Sequence, residues 1–100
     1  MSHEATIAVA CAATPGGWHC TVDVDDGRTA GRHQVTVAAE DAERLAVARA
    51  TPDVERLVYE TFDFLLDREP RSSILASFDL TVVEGYFPGF EAEMAHRLAP

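Results

Sequence analysis

The first 39 residues alternate apolar and polar side chains, and the alternation folds back on itself around one tight-turn signal. Ile7, Val9, Cys11 and Ala13 recur at every second position. Thr14-Pro15-Gly16-Gly17 follows. Then Trp18, Cys20, Val22 and Val24 recur, with His19, Thr21, Asp23 and Asp25 between them. Successive strand side chains point to opposite faces, so this pattern buries one face of a sheet and wets the other. Pro15 and Gly16 stand where a type II turn wants proline and glycine. With these as the loop residues, Ile7 faces Val24, Val9 faces Val22, Cys11 faces Cys20 and Ala13 faces Trp18. A shift by two keeps the same faces, so the alternation leaves the register open. Asp25-Asp26-Gly27 marks a second turn, after which His33, Val35 and Val37 share one face and Gln34 and Thr36 the other. Tight turns join these segments, and parallel pairing would need a crossover. The expectation is three antiparallel strands over 5–13, 17–25 and 32–38.

From residue 40 the spacing becomes helical. Glu40-Asp41-Ala42-Glu43-Arg44-Leu45 starts a short helix with acids in its first turn, as the helix dipole favours. Thr51-Pro52 offers a hydroxyl N-cap and a first-turn proline. Val54, Leu57, Val58, Phe62, Leu65 and Leu66 then recur at helical spacing, Phe64 widens the stripe and Pro70 ends it. That predicts a helix over 52–68, apolar enough to need cover on two sides. Ser73 to Phe78 reads as a short helical turn. Asp79 is placed to cap Leu80 to Tyr86, and Pro88 to open a last helix carrying Phe87, Phe90, Met94 and Leu98. The fold class is α+β: a three-stranded antiparallel meander, then a long helix and several short C-terminal helices packed on one face, in a single domain over 1–100.

Composition narrows the functions. At 47% hydrophobic and 25% charged residues, the chain has the material of a globular core. Its net charge of −9 argues against nucleic acid, whose phosphates need a basic footprint, and against anionic membranes. All eight basic residues are arginine and alanine is abundant, a bias that suggests a GC-rich bacterial genome. The apolar run Ala5 to Ala13 resembles a signal-peptide core, but no basic residue precedes Arg28 and the run is too short to span a bilayer. A first strand in a cytoplasmic protein is the better reading. Two cysteines without a signal point to a reducing compartment, so Cys11 and Cys20 are expected as facing but reduced thiols.

No constellation commits to chemistry. One register sets His33 across from Cys20 and beside Cys11, but no CxxC, HxxxH or HExxH spacing supports a metal, and no cofactor is expected. Asp23 to Gly27 fails the calcium-loop spacing and reads as an acidic turn. There is no GxSxG, Ser72 and Ser73 read as caps, and Gly16-Gly17 leads into a strand rather than a phosphate-binding helix. No catalytic residue is assigned. Charge is the asymmetric feature: residues 40–70 hold nine carboxylates against four arginines. Glu60, Asp63 and Asp67 share the outer face of the long helix, either a solvated surface or a docking strip for a basic protein partner. Tyr86 and Phe87 form a second candidate interaction surface. The first strand, apolar on both faces and an unguarded edge, is expected to support a homodimer.

His33-Gln34-Val35-Thr36-Val37, Phe64-Leu65-Leu66-Asp67-Arg68-Glu69-Pro70, Ser73-Ile74-Leu75, Phe78-Asp79-Leu80 and Tyr86-Phe87-Pro88 resemble a family of small bacterial proteins of no known function. That family carries HxVxV, FLLxREP, SIL, FDL and YFP segments. The resemblance covers roughly residues 33–92 and implies one folded unit of bacterial origin. It carries over no catalytic residue. The expected function is a small non-catalytic interaction or accessory module. The alternatives are a small-molecule or metal binder and an enzyme whose site is shared across an oligomer.

Overall fold

The computed structural model describes residues 5–48 and 50–99. It is α+β, and the strands come first: β1 (Thr6–Thr14), β2 (Gly17–Asp25) and β3 (Ala30–Ala38). β1 and β2 pair antiparallel, with Ile7 opposite Val24, Val9 opposite Val22 and Cys11 opposite Cys20. The two-residue loop is therefore Pro15-Gly16, but the turn is not type II, because positive φ among the glycines occurs at Gly17 and Gly27 and not at Gly16. Gly17 is required for space: a Cβ there would overlap the Val37 carbonyl oxygen. β2 and β3 pair with Val22 opposite His33 and Cys20 opposite Val35, so the register that would set His33 across from Cys20 is not adopted.

The sheet gains a fourth strand. β4 (Ser77–Asp79) pairs parallel with β3, giving a mixed sheet in the order β1-β2-β3-β4. The sequence reading made this segment helical. Ile74 and Phe78 are both buried, and their four-residue separation imitates a helical stripe. Three strand residues are too few to show a period of two. The parallel pairing is possible because the helical crossover between residues 38 and 77 returns the chain to the same end of the sheet.

That crossover contains α1 (Ala39–Ala46), α2 (Thr51–Leu66) and a 3-10 turn over Arg71–Ser73; α3 (Thr81–Tyr86) and α4 (Phe90–Arg97) follow β4. The long helix runs sixteen residues, one earlier at its start and two shorter at its end than expected. Thr51 is not its N-cap. Ala50 holds that position, and the Thr51 hydroxyl accepts a hydrogen bond from Trp18 Nε1 at 3.1 Å. Ser72 and Ser73 do not act as caps either, for the 3-10 turn starts from Pro70 with no side-chain cap.

The core lies between the sheet and α2. Cys20, Val22, Val35, Leu57, Val58 and Phe62 are all fully buried in it. The opposite sheet face, with Ala8, Ala10, Ala12 and Thr36, is exposed. α2 is covered on two sides, as its wide apolar stripe requires. Toward the sheet, the Phe62 ring meets His33 at 5.3 Å and Phe78 at 6.0 Å. Toward the C-terminal helices, Phe64 meets Phe87 at 5.5 Å and Phe90 at 5.4 Å, both edge-on.

Cys11 and Cys20 form a disulfide with Cα atoms 4.0 Å apart, which corrects the expectation of reduced thiols. The reason is positional. Opposed residues that exchange no ladder hydrogen bonds approach to about 4.5 Å, and such a pair needs no large backbone movement to be bridged. The Cys11 N–H accordingly points away from β2, and the Glu55 carboxylate on α2 accepts it at 2.9 Å. With the bond in place, the two cysteines no longer argue for a reducing compartment.

Candidate functional site

Four clusters bear on function, and three of them are internal to the fold. The first is the acidic face of α2. Glu60, Asp63 and Asp67 already hold a cation of this chain: Arg97 of α4 lies 3.2 Å from Glu60, 2.7 Å from Asp63 and 3.6 Å from Asp67. Glu93, one turn earlier on α4, completes the ring at 2.9 Å. Burial opposes the charge on Arg97, but hydrogen bonds to Asp63, Glu93 and Glu60 outweigh it and hold the guanidinium above its ordinary range. Arg44 of α1 plays a similar part elsewhere, binding Asp41, Glu84 and Glu91 and so tying α1 to α3 and α4.

The second cluster is the β2–β3 turn. Asp25 accepts the Gly27 N–H. Asp26 accepts the N–H groups of Arg28, Thr29 and, across the fold, Arg71. These carboxylates shape the turn. The third comprises His33 and the cysteines. His33 is buried and bonded through Nδ1 to the Leu75 carbonyl at 2.7 Å. A carbonyl only accepts, so Nδ1 carries the proton. Nε2 is buried with no hydrogen-bond partner among the described residues. Both sulfurs are in the disulfide, and no three His, Cys, Asp or Glu among the described residues are grouped to hold a metal ion.

The fourth cluster is a cleft of about 460 Å³ beside the C-terminal end of α2. Leu65, Ile74, Phe78 and Val83 form its buried floor. Leu75 and Tyr86 stand at its rim, 51% and 72% exposed, where large apolar side chains would ordinarily be covered. Phe87 closes one side, and Glu69 and Ser73 supply the polar atoms. Local structure explains the opening. After α2 the chain turns at Pro70, and the segment from Ile74 through Phe78 runs out to pair with β3. This leaves a gap between α2 and α3 that no described side chain fills.

The structure thus brings Tyr86 and Phe87 into one site and places Glu60, Asp63 and Asp67 in another. Sequence reasoning missed Leu65, Glu69, Leu75 and Val82 as lining residues. The one signal for them was that FLLxREP, SIL, FDL and YFP are the segments carrying the resemblance noted above, and all four contribute to the lining. Comparison with protein-family models, with curated proteins and with solved structures returned no match. No helix among the described residues is long and apolar enough to cross a membrane.

Proposed function

We propose that this chain is a small interaction module that grips an apolar side chain of a protein partner in the cleft between α2, β4 and α3. The observation that carries this reading is the pairing of a buried apolar floor with the exposed apolar rim residues Leu75 and Tyr86. A pocket of this kind suits an anchoring side chain, the feature that dominates the energetics of most interfaces. The volume also falls in the range of small-molecule sites, but rim residues this exposed extend the apolar surface outward, as a peptide contact needs. The reading moves the interaction site from the acidic face of α2, where Arg97 is the basic partner, to Tyr86 and Phe87. A bacterial, cytoplasmic setting belongs to the same proposal; the disulfide speaks against that compartment and for an oxidising environment.

Selection of displayed peptides on the immobilised protein tests the reading. Peptides with an aromatic or aliphatic anchor are expected, and they should lose binding to Leu75→Glu and Tyr86→Glu variants. Both positions are exposed, so the variants should fold, as circular dichroism would verify. Selected peptides that bind these variants as tightly as the parent would overturn the cleft as the site.

A further inference from the structure

Glu69 differs from most carboxylates of this protein. Asp23 is paired with Arg32, and Asp41, Glu84 and Glu91 with Arg44. Glu60, Asp63, Asp67 and Glu93 surround Arg97. Glu55, Asp25, Asp26 and Asp79 accept backbone N–H groups. Glu69 has neither kind of partner among the described residues, although it lines the cleft and is half-buried there. Its neighbour Arg68 does not serve it: that guanidinium lies 3.6 Å over the Phe64 ring and donates to the Phe64 carbonyl. Burial, with no compensating contact, pushes the Glu69 carboxyl above its ordinary value. An unpaired carboxylate held partly out of water against an apolar wall is unfavourable in the free protein and is relieved by a cation. No basic residue lines the cleft among the described residues.

We propose that the segment entering the cleft carries an arginine or lysine beside its apolar anchor, and that this cation pairs with Glu69. The inference rests on the reading of the cleft as a peptide site and adds the chemistry of the occupant. The apolar anchor sits on Leu65, Phe78 and Val83, while the basic side chain reaches the Glu69 end. The net charge of −9 attracts such a segment at long range as well.

The test uses the full chain, with its disulfide intact, and short acetylated peptides. Each peptide carries one phenylalanine and either an arginine or a citrulline at a spacing of one to three residues. Binding is followed by NMR shift changes at Leu75, Tyr86 and Glu69. The arginine peptide should bind about five-fold more tightly than its citrulline twin, the upper end for a solvent-accessible ion pair. That preference should shrink with added salt and vanish in Glu69→Gln, which still binds the citrulline peptide. Equal affinity of the two peptides for the parent overturns the pairing and leaves the cleft as a peptide site. Shift changes that occur elsewhere, or that survive Leu75→Glu, overturn the cleft reading and the pairing together. Hexylamine binding the cleft as tightly as the arginine peptide, with the same dependence on Glu69, replaces the peptide by a small amine and overturns the proposal.

Discussion

Asp26 accepts three backbone N–H groups, one of them from Arg71, and so fastens the β2–β3 turn to the far end of the crossover. Hydrogen bonds from Thr29, Arg28 and Arg71 hold its carboxyl at about 2, against an ordinary 3.8. A lowered folded value means that the ionised form stabilises the fold. The contribution is complete above the ordinary value and is lost as pH falls through the folded one. Asp26→Asn should therefore be less stable than the parent at neutral pH, and the gap should close as pH drops from 3.8 toward about 2. Urea midpoints measured across that window check it. Val47 is unfavourable in a different way. It closes α1 with φ at 50°, donating its N–H to Glu43, a left-handed position that suits glycine. That backbone costs a residue with a Cβ roughly 1–2 kcal/mol, and the added chain freedom of glycine offsets roughly 0.5–1 kcal/mol of the relief. Val47→Gly should raise stability by the difference, visible as a higher thermal midpoint, because the side chain is 71% exposed and little packing is lost.

Among the elements, α4 is held by charge as well as by packing. Phe90 and Met94 are fully buried, while Arg97 sits among the acids of α2. Replacing Glu60, Asp63 and Asp67 together by their amides should cost roughly 1.5–3 kcal/mol, the range for hydrogen bonds to a charged group. Had the strip been only a solvated surface, one of the two readings the sequence allowed, the same triple change would be close to neutral. A urea midpoint unchanged from the parent would show that Arg97 contributes nothing there. This difference marks what the sequence could tell. The meander and α2 were legible because nine-residue strands and a sixteen-residue helix repeat their period several times; the first hairpin's register was left open by the alternation, and the one adopted is that with Pro15-Gly16 as the loop. β4 was not legible because it is three residues long. The role of Arg97 was hidden because its partners on α2 lie some thirty residues away, 34 in the case of Asp63. The cleft was hidden for the same reason as β4. Only with Ser77 to Asp79 extended does the space beside Leu65 and Glu69 open, so Tyr86 and Phe87 were found and the rest of the lining was not.

At the scale of the whole molecule, the exposed sheet face carries small and polar side chains, while the cleft lies toward the opposite, helical layer. β1 is an edge, but it is not unguarded: the Glu55 carboxylate occupies the Cys11 N–H at its middle. Charge at an edge discourages pairing with a second sheet. Glu55→Ala should therefore increase self-association relative to the parent, and light scattering at matched concentrations would show it. Equal masses would mean that the carboxylate does not govern assembly. The disulfide encloses a short loop, for which chain-entropy arguments give a stabilisation of about 2–3 kcal/mol. Reduction should lower the urea midpoint accordingly, and intact mass under thiol trapping should find the chain lighter by two hydrogens and unmodified. The same bond determines how the molecule responds to pulling. Tension on the N-terminus would peel β1 from the sheet one hydrogen-bonded pair at a time as far as Cys11. There the load passes through sulfur to Cys20, in the buried middle of β2, and the hairpin turn between them carries none of it. An oxidised chain therefore gives way in a short first extension and then resists as a block. A reduced one unzips through Pro15-Gly16 and lengthens by the whole hairpin.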